Sequence, residues 1–141
     1  GREYYFLDRP VFEQRVEAGE FAEWAEVHGN LYGTLLSELD RIVSCGKDAL
    51  MELDVQGMRN GKALGIDAVT VFIMAPSLEE MEERLRARAT DSEEIVELSL
   101  RNAVKEIASR GEFDRVIVNV DIRDATAELE AIIRAARERA A

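Results

Sequence analysis

Ala68-Val69-Thr70-Val71-Phe72-Ile73-Met74-Ala75, then Pro76 and the polar start Ser77-Leu78-Glu79-Glu80, holds a strand and the opening of a helix in thirteen consecutive positions. A nearly continuous apolar run of strand length that stops at a proline reads as a strand buried on both faces, as in parallel sheets. Ser77 and Glu80 have the spacing of a capping box, in which each side chain satisfies a backbone N–H at the helix start, so a helix is expected over 77–88. Working outward, apolar runs at 49–53 and 115–118 read as two more strands. Helical stretches at 55–64, 92–109 and from 123 to the end lie between and after them. Strand and helix in alternation imply an α/β core of parallel strands with crossover helices.

Upstream the texture is different. Tyr4-Tyr5-Phe6 reads as a short strand, and Asp8 can cap a helix to about residue 18, with Pro10 tolerated in its first turn and Gly19 ending it. Residues 20–27 read as extended, His28-Gly29-Asn30 as a hairpin turn, and Leu31-Tyr32-Gly33-Thr34 as the returning strand. A helix over 35–44 closes at Gly46. Residues 1–46 therefore form a small mixed α+β subdomain, and 47–141 the α/β part.

Composition removes several classes. With 47% hydrophobic and 33% charged residues the chain is globular, and its longest apolar run falls far short of the ~20 residues of a membrane span. A net charge of −11 at pH 7 repels a phosphate backbone, so neither nucleic acid nor membrane is an expected partner. One cysteine, Cys45, and one histidine, His28, exclude an intramolecular disulfide and a Cys/His zinc cluster, and no metal site is expected. Cys45 reads as helix-end packing. Only three of the 18 basic residues are lysines, which leaves many planar guanidinium groups suited to oxyanions.

Four strings can carry chemistry. Gly57-Met58-Arg59-Asn60-Gly61-Lys62-Ala63 is near a phosphate loop, but it is one residue short between the glycines and has alanine where a hydroxyl should hold Mg²⁺, so it reads as a chance match. In the extended segment, Glu23 faces a cleft whose other wall, across the hairpin, is Tyr32 and Thr34. A carboxylate beside a hydroxyl suits guanine, whose N1–H and N2 amine donate in parallel; the plain alternative is a pair of surface residues. Glu52 and Asp54 share one face at the end of the 49–53 run, where they can bind sugar hydroxyls, an amine or hydrated Mg²⁺, or simply cap the next helix. Arg84 and Arg88, four apart, share a helix face and can meet phosphoryl oxygens, whereas Glu80–Arg84 at i,i+4 also fits a solvated salt-bridged surface.

Taken in order, these strings closely resemble guanylate kinase, a nucleoside monophosphate kinase family, over essentially the whole chain. Tyr4-Tyr5-Phe6 looks like the family's Y-x-F strand. Gly19-Glu20-Phe21-Ala22-Glu23-Trp24-Ala25 and Gly29-Asn30-Leu31-Tyr32-Gly33-Thr34 look like its GMP-binding segment, Gly46-Lys47 with Glu52-Leu53-Asp54-Val55-Gln56-Gly57 like its next core strand and helix, and Arg84 to Glu94 like its lid. The resemblance implies a parallel-sheet, P-loop kinase core with a GMP-binding subdomain and a helical lid at about 84–95, in a cytoplasmic transferase of purine nucleotide metabolism. It implies that Glu23 and Thr34 read guanine, that the hydroxyls of Tyr4 and Tyr32 hold the GMP phosphate, and that Glu52 and Asp54 line the pocket floor. Arg84 and Arg88 match lid arginines that reach the transferred phosphoryl group, and Asn119 matches the asparagine near the adenine of ATP.

The departures are equally specific. The family's first strand, phosphate loop and GMP-phosphate arginines have no counterpart in this sequence, Ser99 stands where the lid carries another arginine, and Val120 replaces a common acid. Arg101 lies about 200° round the helix from position 99 and substitutes poorly. In the resembled fold the phosphate-loop strand lies inside the sheet; a vacant slot would strand backbone groups at about 1–3 kcal/mol each, so an upstream segment, a second copy or another protein is expected to fill it. The expected function is ATP-dependent phosphorylation of GMP to GDP by the complete protein, this chain carrying the GMP-binding and lid parts and being inactive alone. No cofactor is tightly bound, and ATP and Mg²⁺ are co-substrates only if the phosphate loop is supplied. The alternative is an inactive module that binds GMP or a protein partner.

Overall fold

The computed structural model describes residues 7–27, 29–88 and 92–140. The expected strand Tyr4-Tyr5-Phe6, the turn residue His28 and the lid residues Ala89, Thr90 and Asp91 lie outside them. The chain divides into two units, Gly1–Asp67 and Ala68–Ala141.

In the first unit, helix α1 (Arg9–Glu17) begins at Asp8, whose backbone is extended and whose side chain makes no capping bond, with Pro10 in the first turn, where its missing N–H costs nothing. Gly19 ends the helix in a left-handed conformation, φ +72°, that side chains rarely adopt. Strands β1 (Phe21–Val27) and β2 (Asn30–Leu35) form an antiparallel hairpin in which Glu23 opposes Thr34, Trp24 opposes Gly33 and Ala25 opposes Tyr32. Simple alternation would put Phe21 and Trp24 on opposite faces. A register shift between Phe21 and Glu23 returns both to the α1 side, where the Phe12 ring stacks on Phe21 at 4.4 Å and meets Trp24 edge-on at 6.5 Å. Helix α2 (Leu36–Ser44) follows at once, and Cys45 at its end is exposed rather than packed.

Helix α3 (Val55–Ala63) buries Val55 and Met58 and packs against β1. It contains the whole string from Gly57 to Ala63, so those backbone N–H groups serve the helix and its Asp54 cap rather than a phosphate cradle. The strand expected at 49–53 is not formed: residues 47–54 have no regular structure, and Leu50 is 76% exposed. A strand exists only where a neighbour accepts its ladder, and none of the described residues does so here.

In the second unit, β3 (Val71–Met74) and β4 (Arg115–Val118) pair in parallel, Val71 with Arg115 through Met74 with Val118. Between them come α4 (Leu78–Arg88), α5 (Glu93–Ala108) and a 3₁₀ turn (Arg110–Glu112); α6 (Ile122–Ala140) follows β4. Ser77 caps α4 through the Glu80 N–H at 3.1 Å, and Ser92 caps α5. The entry to the sheet is locked by Asp114, whose Oδ2 accepts from the Thr70 N–H at 2.8 Å and hydroxyl at 3.1 Å, while Thr70 Oγ1 accepts from the Asp114 N–H. Ile117 is the unit's most buried large side chain, and Phe72 meets Phe113 edge-on. The expectation of strands buried on both faces is corrected: Ile73, Val116 and Val118 are exposed, because a two-strand ladder has an open edge on each side among the described residues. β3 is also shorter than the 68–75 run, since β4 offers only four partners. The architecture is thus mixed α/β with a small parallel sheet.

Candidate functional site

The hairpin of the first unit brings Glu23 and Thr34 together. They are cross-strand neighbours, and Thr34 Oγ1 donates to Glu23 Oε1 at 2.7 Å in a half-buried setting. Among the described residues Thr34 is the carboxylate's only hydrogen-bond partner, so its other oxygen can accept from a ligand. Alternation places Tyr32 on the same face, two residues before Thr34, with its ring half exposed. One face of the hairpin therefore carries a carboxylate, an alcohol and a phenol.

Gly33 makes this arrangement possible from the other face. A Cβ there would lie 2.7 Å from Phe21 Cδ1 and 2.8 Å from the Glu23 carbonyl oxygen, so only glycine lets Phe21 cover the strand between Tyr32 and Thr34.

Glu52 and Asp54 are both exposed. Asp54 is the N-cap of α3, its Oδ1 accepting from the Gly57 N–H at 2.7 Å. The capping alternative thus accounts for one carboxylate oxygen of the pair. Tyr4 lies outside the described residues.

In the second unit, Arg84 donates through Nη1 to the Asn119 carbonyl at 2.8 Å and through Nη2 to the Val120 carbonyl at 3.2 Å, while its Nε lies 3.3 Å from Glu80 Oε1. The side chain fastens α4 to the segment after β4, where the Asn119 N–H also extends the ladder to the Met74 carbonyl at 2.7 Å. Asn119 is so fixed at the carboxyl end of the parallel pair, the position where α/β sheets bind ligands. Arg88 closes α4, and its side chain is not among those described. Arg86, on another face, forms a two-pronged pair with Glu93 at 2.6 and 2.7 Å and also binds Glu82. Hydrogen bonding to these carboxylates, with their negative charge, holds the Arg86 guanidinium well above its ordinary pKa, and the same contact holds Glu93 below the usual carboxylate range. Ser99 is half-buried in α5.

The carbonyl contacts of Arg84 and the Thr70–Asp114 lock carry no sequence signature. A third contact set, around Arg9, is legible only through its i,i+4 spacing to Glu13. Among the described residues no three His, Cys, Asp or Glu side chains gather to hold a metal ion, and no helix is long and apolar enough to cross a membrane.

A hydrogen-bonding hairpin face and a parallel-sheet unit with helix-borne arginines are the equipment of a nucleotide-binding α/β transferase. A guanylate kinase family model matches residues 1–136. The chain is 47% identical over 139 residues to the guanylate kinase of Aromatoleum aromaticum, covering 99% of this chain and 68% of that protein. It is 43% identical over 141 residues to the guanylate kinase of Chromobacterium violaceum, all of this chain and 67% of that one. The crystal structure of guanylate kinase from Anaplasma phagocytophilum superposes with a TM-score of 0.67 at 35% identity, over 96% of this chain and 65% of that chain. This chain belongs to the guanylate kinase family, and it spans about two thirds of the length of these relatives.

Proposed function

We propose that the complete protein transfers a phosphoryl group from ATP to GMP, giving GDP, and that residues 1–141 supply its GMP-binding and lid parts. The observation that carries this reading is the Glu23–Thr34 pair. A carboxylate accepts from both N1–H and the N2 amine of guanine, whereas adenine has an acceptor at N1 and only a C–H at C2, its amine lying on the C6 side. In this reading residues 1–46 are the GMP subdomain. Tyr32, on the same face, and Tyr4 hold the phosphate through their hydroxyls, and Glu52 and Asp54 line the floor with the oxygens not used in capping. Arg84 and Arg88 reach the transferred phosphoryl group, Arg84 by exchanging the Asn119 and Val120 carbonyls for phosphoryl oxygens, and Asn119 lies near the adenine of ATP.

Catalysis is then mainly positioning, with charge supplied where the phosphoryl oxygens become more negative. The only glycine-lysine string resembling a phosphate loop is helical, so ATP and Mg²⁺ enter as co-substrates held by a segment other than residues 57–63. The setting is cytoplasmic in this reading. Titration calorimetry tests it: the chain should bind GMP and not AMP, and Glu23→Ala should abolish the preference. Retained GMP selectivity in that variant would show that another group reads the base.

A second reading, a non-catalytic module that holds GMP or a protein partner, draws support from the commitment of Arg84 to backbone carbonyls and from Ser99 in place of an arginine. GMP-dependent phosphoryl transfer by the complete protein would exclude it.

A further inference from the structure

We propose that Arg9 is a positioning residue for the phosphate end of the hairpin, an inference that rests on the reading of the first unit as a GMP site. Arg9 is the first residue of α1, and all three of its guanidinium nitrogens are engaged. Nε donates to Glu13 Oε1, Nη2 to Glu26 Oε1 and Nη1 to the Gly29 carbonyl, each at 3.1 Å. Two of these contacts land at the turn end of the hairpin: Glu26 is the last but one residue of β1, and Gly29 is in the turn itself.

The other anchor of α1, Phe12 on Phe21 and Trp24, lies nearer the opposite end. Helix α1 therefore holds the hairpin at two separate points. The apolar anchor grips Trp24, whose partner Gly33 adjoins Thr34, and so steadies the Glu23–Thr34 pair. The Arg9 anchor grips Glu26, whose partner Leu31 adjoins Tyr32, and so steadies Tyr32.

Glu26 alternates with Ala25 along β1, which puts Arg9 on the face away from Tyr32 and Thr34. Arg9 is thus placed to act on a bound nucleotide only through the backbone it pins. An exposed ion pair alone contributes little. Here one planar group joins two carboxylates and a turn carbonyl on three parts of the unit, and Glu26 and Glu13 hold it firmly charged, the hydrogen bond to Glu26 being the largest cause.

Freeing the turn end lowers the fraction of molecules with Tyr32 in place, and apparent affinity falls by that fraction. Base reading at the other end is untouched. The consequence is selective: GMP, which has a phosphate for Tyr32, should suffer, and guanosine, which has none, should not.

Calorimetry on the full chain with GMP and with guanosine tests this for wild type, Arg9→Ala, Arg9→Lys and Glu26→Gln. Arg9→Ala should weaken GMP binding about fivefold and leave guanosine within about twofold, with Arg9→Lys and Glu26→Gln intermediate for GMP. The unchanged guanosine affinity also shows that the variants are folded. Equal GMP affinity in wild type and Arg9→Ala would overturn the role of Arg9, and so would a parallel loss of both ligands, which is what a general loosening gives. Failure of the wild-type chain to bind either ligand would instead remove the GMP reading, and the positioning role with it.

Discussion

Gly33→Ala should clearly destabilise the hairpin. The new Cβ would sit 2.7 and 2.9 Å from the Phe21 ring carbons and 2.8 Å from the Glu23 carbonyl oxygen. Carbon atoms pack comfortably at about 3.5–4.0 Å, so the ring contact is short by about 0.8 Å. Neither neighbour can yield cheaply. Phe21 is 6% exposed and stacked on Phe12, and the carbonyl belongs to the strand that carries Glu23. Overpacking of this kind costs about 1–3 kcal/mol, and a clash with both a buried ring and backbone belongs in the upper half of that range, about 2–3 kcal/mol. Urea unfolding followed by the fluorescence of Trp24, the single tryptophan and itself in contact with Phe12, reads the loss in the right unit. Gly61→Ala is the control: Gly61 lies inside α3 and the atom nearest its added Cβ outside the helix backbone is Ile66 Cδ1 at 3.8 Å, so removing a helical glycine should stabilise by up to about 1 kcal/mol. A Gly33→Ala protein within about 0.5 kcal/mol of wild type would refute the packing argument.

Other expectations concern single contacts. Asp54→Ala should lose about 1 kcal/mol of stability in the same urea assay and Asp54→Asn much less, since asparagine also caps; equal losses would mean that the cap is not what matters. Thr34→Val keeps the shape but deletes the bond to Glu23, and should weaken GMP binding about tenfold with little loss of stability; an unchanged affinity would contradict the pairing. Glu38 and Glu93 are both held below their ordinary pKa of 4.5, chiefly by hydrogen bonds from Arg41 and Arg86. A depressed folded-state pKa stabilises above the unfolded value and is lost as pH falls through the folded one, so urea midpoints should drop on acidification below about pH 4.5. Glu93→Gln should flatten that drop, and an identical pH profile would show that the Arg86 pair is not responsible.

The amino-acid pattern resolved elements whose signals are local. Ser77 and Ser92 marked helix starts, Gly19 marked a stop, and the turn before Leu31 brought Glu23 and Thr34 into register. It failed where pairing is remote: the 49–53 run has the apolarity of a strand, yet no described residue offers it a ladder. Pattern also could not see the register shift that turns Phe21 and Trp24 to one side, because alternation is blind to an extra residue. At the site, residue chemistry picked out Glu23, Thr34 and Arg84, but Arg84 meets backbone carbonyls that any sequence would provide. Arg9 stayed hidden for the same reason, since one of its three acceptors is the carbonyl of Gly29.

A crystal structure of the chain with GMP bound is the most direct test of the central claim, that Glu23 reads guanine. The carboxylate oxygens of Glu23 should lie about 2.7–3.0 Å from guanine N1 and N2, with Thr34 still bonded to the same side chain. Guanine seated elsewhere, or Glu23 turned to solvent beside a bound base, would contradict it.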